Sequence, residues 1–134
     1  MKFKGKTAYF SHSKSLYGTK GEKFILGELE RILKGVVICP NRDIGNFKGY
    51  EFYDEMVSKL DIVFVWSESN HSELTKGCYK EVEKALHKNL PCILIELSGD
   101  SINFRDIITI DKYEEENNFE YGSVESVAIE TFST

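Results

Sequence analysis

Long hydrophobic runs are missing from this sequence. The longest apolar run is Ile62–Trp66, far short of the roughly 20 residues that cross a bilayer as a helix. Residues 1–6 lead into an alternating pattern and not into the apolar core of a signal peptide. We therefore expect neither secretion nor a membrane partner, and a cytoplasmic location.

Cysteine is also scarce. The three cysteines, Cys39, Cys78 and Cys92, are odd in number and at least 14 positions apart. This spacing excludes a disulfide framework and a CxxC metal knuckle. The three histidines have no spacing that would assemble a metal site from neighbouring turns. The sequence therefore predicts reduced thiols, no metal and no cofactor.

Two phosphate-binding motifs are missing as well. The sequence contains no GxGxxG, which disfavours a dinucleotide cofactor held in the Rossmann manner. It also contains no GxxxxGK[ST], which excludes phosphoryl transfer by a P-loop.

The charge is unevenly distributed along the chain. Residues 1–50 carry a net charge of +6, residues 51–110 carry -5 and residues 111–134 carry -6. An overall charge of -5 without a dense basic stripe disfavours long nucleic acid as a partner. The cationic first half is compatible with a small anion. The acidic segment 111–134 is either a solvated tail or an interface, for which Tyr113, Phe119 and Tyr121 among the acidic residues are suited.

Apolar periodicity predicts strands and helices in alternation. Predicted strands cover residues 7–10, 36–39, 62–66, 92–95 and 107–110. Amphipathic helices are predicted from residue 21 to a terminating Gly35, between residues 50 and 60, and from about 76 to 89. Strands that are apolar on both faces indicate a parallel sheet covered on both sides. We expect one domain over residues 1–134, a Rossmann-like or flavodoxin-like three-layer α/β sandwich with a parallel sheet of about five strands.

Glu81 is the most informative polar residue. On a helical wheel it lies beside the predicted buried stripe, which is formed by Cys78, Val82, Ala85 and Leu86. A half-buried carboxylate at the carboxyl edge of a parallel sheet is a candidate nucleophile or electrostatic stabiliser. The alternative is a partly solvated glutamate of the first helical turn, favoured by the helix dipole.

Three segments resemble one enzyme family. Residues 77–86 (GCYKEVEKAL) are similar to the nucleophile helix of the nucleoside 2-deoxyribosyltransferase superfamily, which includes the nucleoside 5'-monophosphate N-glycosidases. Residues 7–10 (TAYF) and 60–63 (LDIV) resemble its first and third strands. The resemblance covers roughly residues 6–97. It implies cleavage of the N-glycosidic bond of a nucleoside or nucleotide, by hydrolysis or transfer, in a homo-oligomer.

The resemblance also implies roles for particular residues. Glu81 would attack the anomeric carbon, Tyr9 would orient Glu81 or the sugar, and Asp54 would serve as general acid. A 5'-phosphate would be held by Ser11, Ser13 and Lys14. The expected substrate-binding residues are Ser11, His12, Ser13, Lys14, Arg42, Gly77, Tyr79 and Asn103, the last reaching into a neighbouring subunit's site.

Alternatives remain open for several of these residues. Tyr79 replaces a second family glycine, and Tyr53 stands at the position of a family aspartate, with Asp54 one residue later. Tyr9 could be a core aromatic, and Asp54, His12 and Arg42 ordinary helix or loop residues. These departures keep open a module that binds a nucleotide or ADP-ribose-like signal without catalysis. An NAD-cleaving enzyme resembling TIR domains is a third hypothesis.

The cysteine pattern leads to a simple prediction. Alkylation under denaturing conditions and without reductant should modify all three thiols of freshly purified protein. Mass spectrometry would measure the number of adducts. A species with one modified thiol, whose protein part is lighter by two hydrogen atoms, would show a disulfide and contradict the prediction.

Overall fold

The computed structural model describes residues 4–44, 50–66, 76–99 and 101–108, which alternate between strands and helices. The strands are β1 (Thr7–His12), β2 (Val36–Ile38), β3 (Ile62–Trp66), β4 (Cys92–Ser98) and β5 (Ser101–Ile108). The helices are α1 (Lys20–Leu33), α2 (Tyr50–Met56) and α3 (Lys76–His87). Among these residues, no helix is both long enough and apolar enough to pass through a membrane.

The five strands form one sheet in the order β2-β1-β3-β4-β5. The first four are parallel, as β1 pairs with both β2 and β3 and β3 pairs with β4. The chain leaves β1 for the edge at β2 and then returns to the other side of β1 to form β3. The order therefore reverses between β1 and β3, whose last residues, His12 and Trp66, lie side by side. In open α/β sheets, ligands bind beyond the carboxyl ends of the strands at such a reversal.

Helices cover both faces of the sheet. On one face, α1 packs Ile25, Leu29 and Leu33 against buried strand residues. On the other face, α2 and α3 pack against the sheet through residues that include Tyr53, Val82 and Leu86. The predicted α/β architecture with helices on both sides of a five-stranded sheet is thus confirmed.

The last strand differs from the prediction. β5 begins at Ser101 rather than at residue 107, and it runs antiparallel to β4. Ser98 pairs with Ser101, so two residues separate the strands, whereas a parallel connection needs a crossover of a dozen or more. Gly99 has a φ of 59°, which suits a tight hairpin turn. The sheet is therefore mostly parallel, and β4 and β5 form an antiparallel hairpin at its edge.

Gly35 follows α1 for a reason that the helix-terminator pattern did not predict. The left-handed residue at the helix end is Lys34, with a φ of 49°. At Gly35, a Cβ atom would overlap the backbone carbonyl of Lys6 and come within 2.8 Å of the Gly5 carbonyl carbon. The glycine is needed because two backbone segments approach each other closely there.

The structure bears on the predicted free thiols but not on the acidic segment. Cys39, Cys78 and Cys92 are buried and form no disulfide within the described part of the chain. The acidic segment 111–134 lies outside the described residues, as do its aromatic residues, so its role stays a prediction.

The close approach at Gly35 predicts a substitution effect. Gly35→Ala should lower the free energy of unfolding by about 1 to 3 kcal/mol, because the added methyl group must displace backbone. Gly27 is the matched control, since it is exposed on α1 and a Cβ there would have no neighbour within 4 Å. Gly27→Ala should raise the same quantity by about 0.5 to 1 kcal/mol. Urea denaturation of both variants measures the difference, and equal effects would contradict the prediction.

Candidate active site

The carboxylate of Glu81 is held by two hydroxyl groups of β1. Tyr9 Oη donates a hydrogen bond to Glu81 Oε2 at 2.7 Å, and Ser11 Oγ donates one to Glu81 Oε1 at 2.7 Å. Tyr9 and Ser11 are two positions apart on a strand, so their side chains leave the sheet on the same face. Each carboxylate oxygen therefore has its own donor, and the orientation of the carboxylate is determined.

α3 places Glu81 at this position through its buried face. Cys78, Val82, Ala85 and Leu86 are buried against the sheet, as the helical wheel predicts. Glu81 lies beside this stripe, and only 8% of its surface is exposed. It is the sixth residue of α3, in the second turn, and it is more deeply buried than either sequence interpretation anticipated.

Tyr53 supports the same site from α2. Its hydroxyl donates a hydrogen bond to the backbone carbonyl of Glu81 at 2.7 Å. Its ring meets that of Tyr9 edge to face, with centroids 4.8 Å apart. Tyr53 is fully buried. The residue at the position of the family aspartate therefore holds the helix that carries Glu81 and packs against Tyr9.

Burial determines the ionisation of Glu81. Removal from water raises the pKa of its carboxyl to about 7, although the hydrogen bonds from Tyr9 and Ser11 act in the opposite direction. The pKa of Tyr9 is raised by burial and by the negative charge of Glu81, so its hydroxyl remains a donor. Burial and the same charge raise the pKa of Tyr17 to about 12. Tyr17, which the sequence analysis missed, therefore lies within the electrostatic reach of Glu81.

Asp54, the expected general acid, lies on the outside of α2. Its side chain is half exposed, and it forms an ion pair with Lys84 at 2.8 Å. Arg42 is likewise occupied, since it pairs with Asp43 at 2.7 Å and with Glu30 at 3.1 Å. The catalytic role of Asp54 and the substrate-binding role of Arg42 stay predictions, and both side chains would need to leave these partners to contact a ligand.

The other expected substrate-binding residues are spread over three elements of the fold. Ser13 and Lys14 directly follow β1, where Ser13 bonds to the hydroxyl of Ser15. Tyr79 is partly buried against the core of the Glu81 face. Asn103 lies on β5, opposite Glu96 of β4. β5 is three strands away from β1, which corresponds to about 14 Å. Gly77 is exposed in the first turn of α3.

His12 points to the opposite face of the sheet, because it alternates with Ser11. Its Nε2 lies 2.6 Å from Glu22 Oε2 in α1. Burial raises the pKa of Glu22, but hydrogen bonds with His12, Gly18 and Asn41 outweigh it, and the net shift is downward. The sequence analysis did not single out Glu22, although its spacing from Thr19 is that of a capping box, which would place it in the first turn of a helix. In the structure, the backbone N–H of Glu22 donates a hydrogen bond to Thr19 Oγ1.

Comparisons with models of protein families, with curated proteins and with solved structures found no match to this chain. The function is therefore inferred from the geometry of the site.

The raised pKa of Glu81 predicts a pH dependence of stability. Its pKa is about 7 in the folded protein against 4.5 for an exposed carboxyl, so the folded state binds the extra proton between these values. The free energy of unfolding should therefore fall by about 1 to 3 kcal/mol as the pH rises from about 5 to about 8. Glu81→Gln cannot titrate and should lack this fall.

Urea denaturation at both pH values measures the effect. The matched control is Glu83→Gln, which changes an exposed glutamate of the same helix and should retain the fall. An identical pH dependence in Glu81→Gln and the unmodified protein would contradict the raised pKa.

Proposed function

We propose that this protein cleaves the N-glycosidic bond of a nucleoside or nucleoside 5'-monophosphate, with Glu81 as the nucleophile. The observation that carries the proposal is the carboxylate of Glu81, buried beside the strand reversal and oriented at both oxygens by Tyr9 and Ser11. The resemblance of residues 77–86 to the deoxyribosyltransferase nucleophile helix supports it. The order β2-β1-β3-β4-β5 also supports a flavodoxin-like classification, with β5 as an antiparallel edge strand.

The chemistry follows from the charge and position of the carboxylate. Ionised Glu81 attacks the anomeric carbon, a bond from that carbon to a carboxylate oxygen forms, and the bond to the base nitrogen breaks. The base leaves with the bonding electrons and takes up a proton. Water then attacks the same carbon and releases Glu81 and the free sugar; a second base in place of water gives transfer.

The pKa of Glu81 suits this role. A value of about 7 leaves a substantial ionised fraction near neutral pH, while the carboxylate is more basic than an exposed one. Neutral hydroxyl donors hold the group, and among the described residues no cation pairs with it to neutralise its charge. We assign Tyr9 and Ser11 the positioning of the nucleophile, which leaves Ser13 and Lys14 as the proposed contacts to a 5'-phosphate.

The proton for the departing base needs a donor. Asp54 can supply it only when its ion pair with Lys84 opens. Tyr53 does not replace the family aspartate chemically, because its hydroxyl is buried and donates to the backbone of Glu81. This difference favours a second candidate function, binding of a nucleotide or ADP-ribose-like ligand without turnover.

Glu81→Gln separates the two functions. The unmodified protein and Glu83→Gln should release free base from at least one member of a panel of ribo- and deoxyribonucleosides and their 5'-monophosphates. In Glu81→Gln, base release should fall by about 1,000-fold or more, while ligand affinity changes little, because glutamine keeps the shape but not the charge. Chromatography measures the base and calorimetric titration the affinity.

Two results would decide against catalysis by Glu81. Full base release by Glu81→Gln would remove its role as nucleophile. Ligand binding by the unmodified protein without base release from any member of the panel, or from NAD tested beside it, would instead establish the binding module.

A further inference from the structure

Three side chains with metal-binding atoms meet on the sheet face opposite Glu81. His12 ends β1, Glu22 lies in the first turn of α1 and Cys39 follows β2, and all three are at least 95% buried. An imidazole nitrogen, a carboxylate oxygen and the thiol sulfur lie within 4.8 Å of one another. We propose that this group, the His12 cluster, binds one divalent transition-metal ion with the ligand preferences of Zn²⁺.

The donor types favour such an ion. Imidazole nitrogen, carboxylate oxygen and thiolate sulfur are the three protein ligands of zinc, whereas calcium and magnesium require oxygen. One thiolate and one carboxylate together balance the charge of a dication. The bound cluster is therefore neutral as a whole, which suits a site removed from water.

Hydrogen bonds around the cluster orient its ligand atoms. His12 Nδ1 lies 3.1 Å from the carbonyl oxygen of Phe10, so an Nδ1–H donates there and Nε2 faces Glu22. Glu22 Oε1 accepts hydrogen bonds from Gly18 N at 3.0 Å and Asn41 Nδ2 at 3.1 Å, which leaves Oε2 toward the other ligands. Metal-bound histidines and carboxylates are held by such outer contacts.

The ligand atoms lie within 4.8 Å of one another and must move by up to about 1 Å to hold a metal ion. Bonds of zinc length in a tetrahedral arrangement separate the ligand atoms by about 3.3 to 3.7 Å. Cys39 Sγ lies 4.0 Å from Glu22 Oε2, while His12 Nε2 and Glu22 Oε2 are 2.6 Å apart and must separate by about 1 Å. Three metal–ligand bonds then replace the His12–Glu22 hydrogen bond, and the displaced protons, including that of the thiol, pass to solvent.

Asn41 offers an oxygen for a fourth position. Its Oδ1 lies 3.2 Å from Cys39 Sγ, beside the cluster. The Cys39 thiol donates a hydrogen bond to this oxygen, and Asn41 Nδ2 donates one to Glu22 Oε1, so the amide contacts two of the three proposed ligands. The ion would connect the carboxyl ends of β1 and β2 to the start of α1. Because the cluster lies across the sheet from Glu81, this inference does not depend on the proposed function.

Metal retention by the full chain, free of any polyhistidine tag, tests the proposal. After chelator treatment, the protein is loaded with Zn²⁺ or Co²⁺ and freed of excess metal by gel filtration. We expect one ion per chain by elemental mass spectrometry, a thiolate-to-cobalt charge-transfer band, and a melting temperature that rises on loading.

Paired cysteine variants identify the ligand. Cys39→Ser should abolish the charge-transfer band and weaken binding by more than the roughly 10- to 100-fold caused by losing an outer hydrogen bond to a ligand. Cys92→Ser, which changes a buried cysteine outside the cluster, should keep the band and the stoichiometry. Circular dichroism confirms that each variant is folded.

X-ray absorption of the zinc-loaded unmodified protein gives a test that needs no variant. One sulfur neighbour at about 2.3 Å, with nitrogen or oxygen at about 2.0 to 2.2 Å, is expected. Failure to retain metal, a zinc environment without sulfur, or undiminished binding by folded Cys39→Ser would overturn the proposal and leave His12 and Glu22 as a buried hydrogen-bonded pair.

Discussion

The candidate site depends on the contact between the carboxylate of Glu81 and the hydroxyl groups of Tyr9 and Ser11. These bonds join positions 72 and 70 residues apart in the chain. They form because β1 lies between β2 and β3 inside the sheet and α3 packs across it, so the helix presents one polar side chain where the strand presents two. Tyr53 completes the arrangement by holding both the Tyr9 ring and the backbone of Glu81.

Side chains of β1 contact two buried carboxylates whose pKa values shift in opposite directions. Burial acts to raise the pKa of both carboxyls, and the hydrogen bonds that each accepts act to lower it. Glu81 accepts from only two neutral hydroxyls, so burial prevails and its pKa rises to about 7. Glu22 has His12 as well as amide donors, and its pKa falls below the ordinary value. The alternation of side chains along one strand separates these environments: Tyr9 and Ser11 face α3, and His12 faces α1. The carboxylate that we propose as nucleophile and the group that we propose as a metal site therefore lie on opposite faces of the sheet.

Periodicity was sufficient to predict most of the framework. The buried stripe of α3, with Glu81 beside it, follows from the helical repeat, because a helix buries residues three and four positions apart. The apolar strands and the alternation of strands with helices were equally readable. The direction of β5 could not be read from the sequence. It depends on the short connection between Ser98 and Ser101, whose residues are typical of any polar loop. The reason for Gly35 was also hidden, because Lys6 approaches it only in the folded chain.

The sequence by itself determined that Glu81 lies at the border of a buried helical face. This follows from local helical geometry, which neighbouring residues control. The first strand was predicted to end at residue 10, and only the structure showed that β1 continues to His12, so that Tyr9 and Ser11 share one side of it. Only the tertiary structure decided that these two sets meet, that Asp54 pairs with Lys84, and that His12, Glu22 and Cys39 converge. Such contacts depend on strand order and on which sheet face each helix covers, and a local repeat contains no information about either.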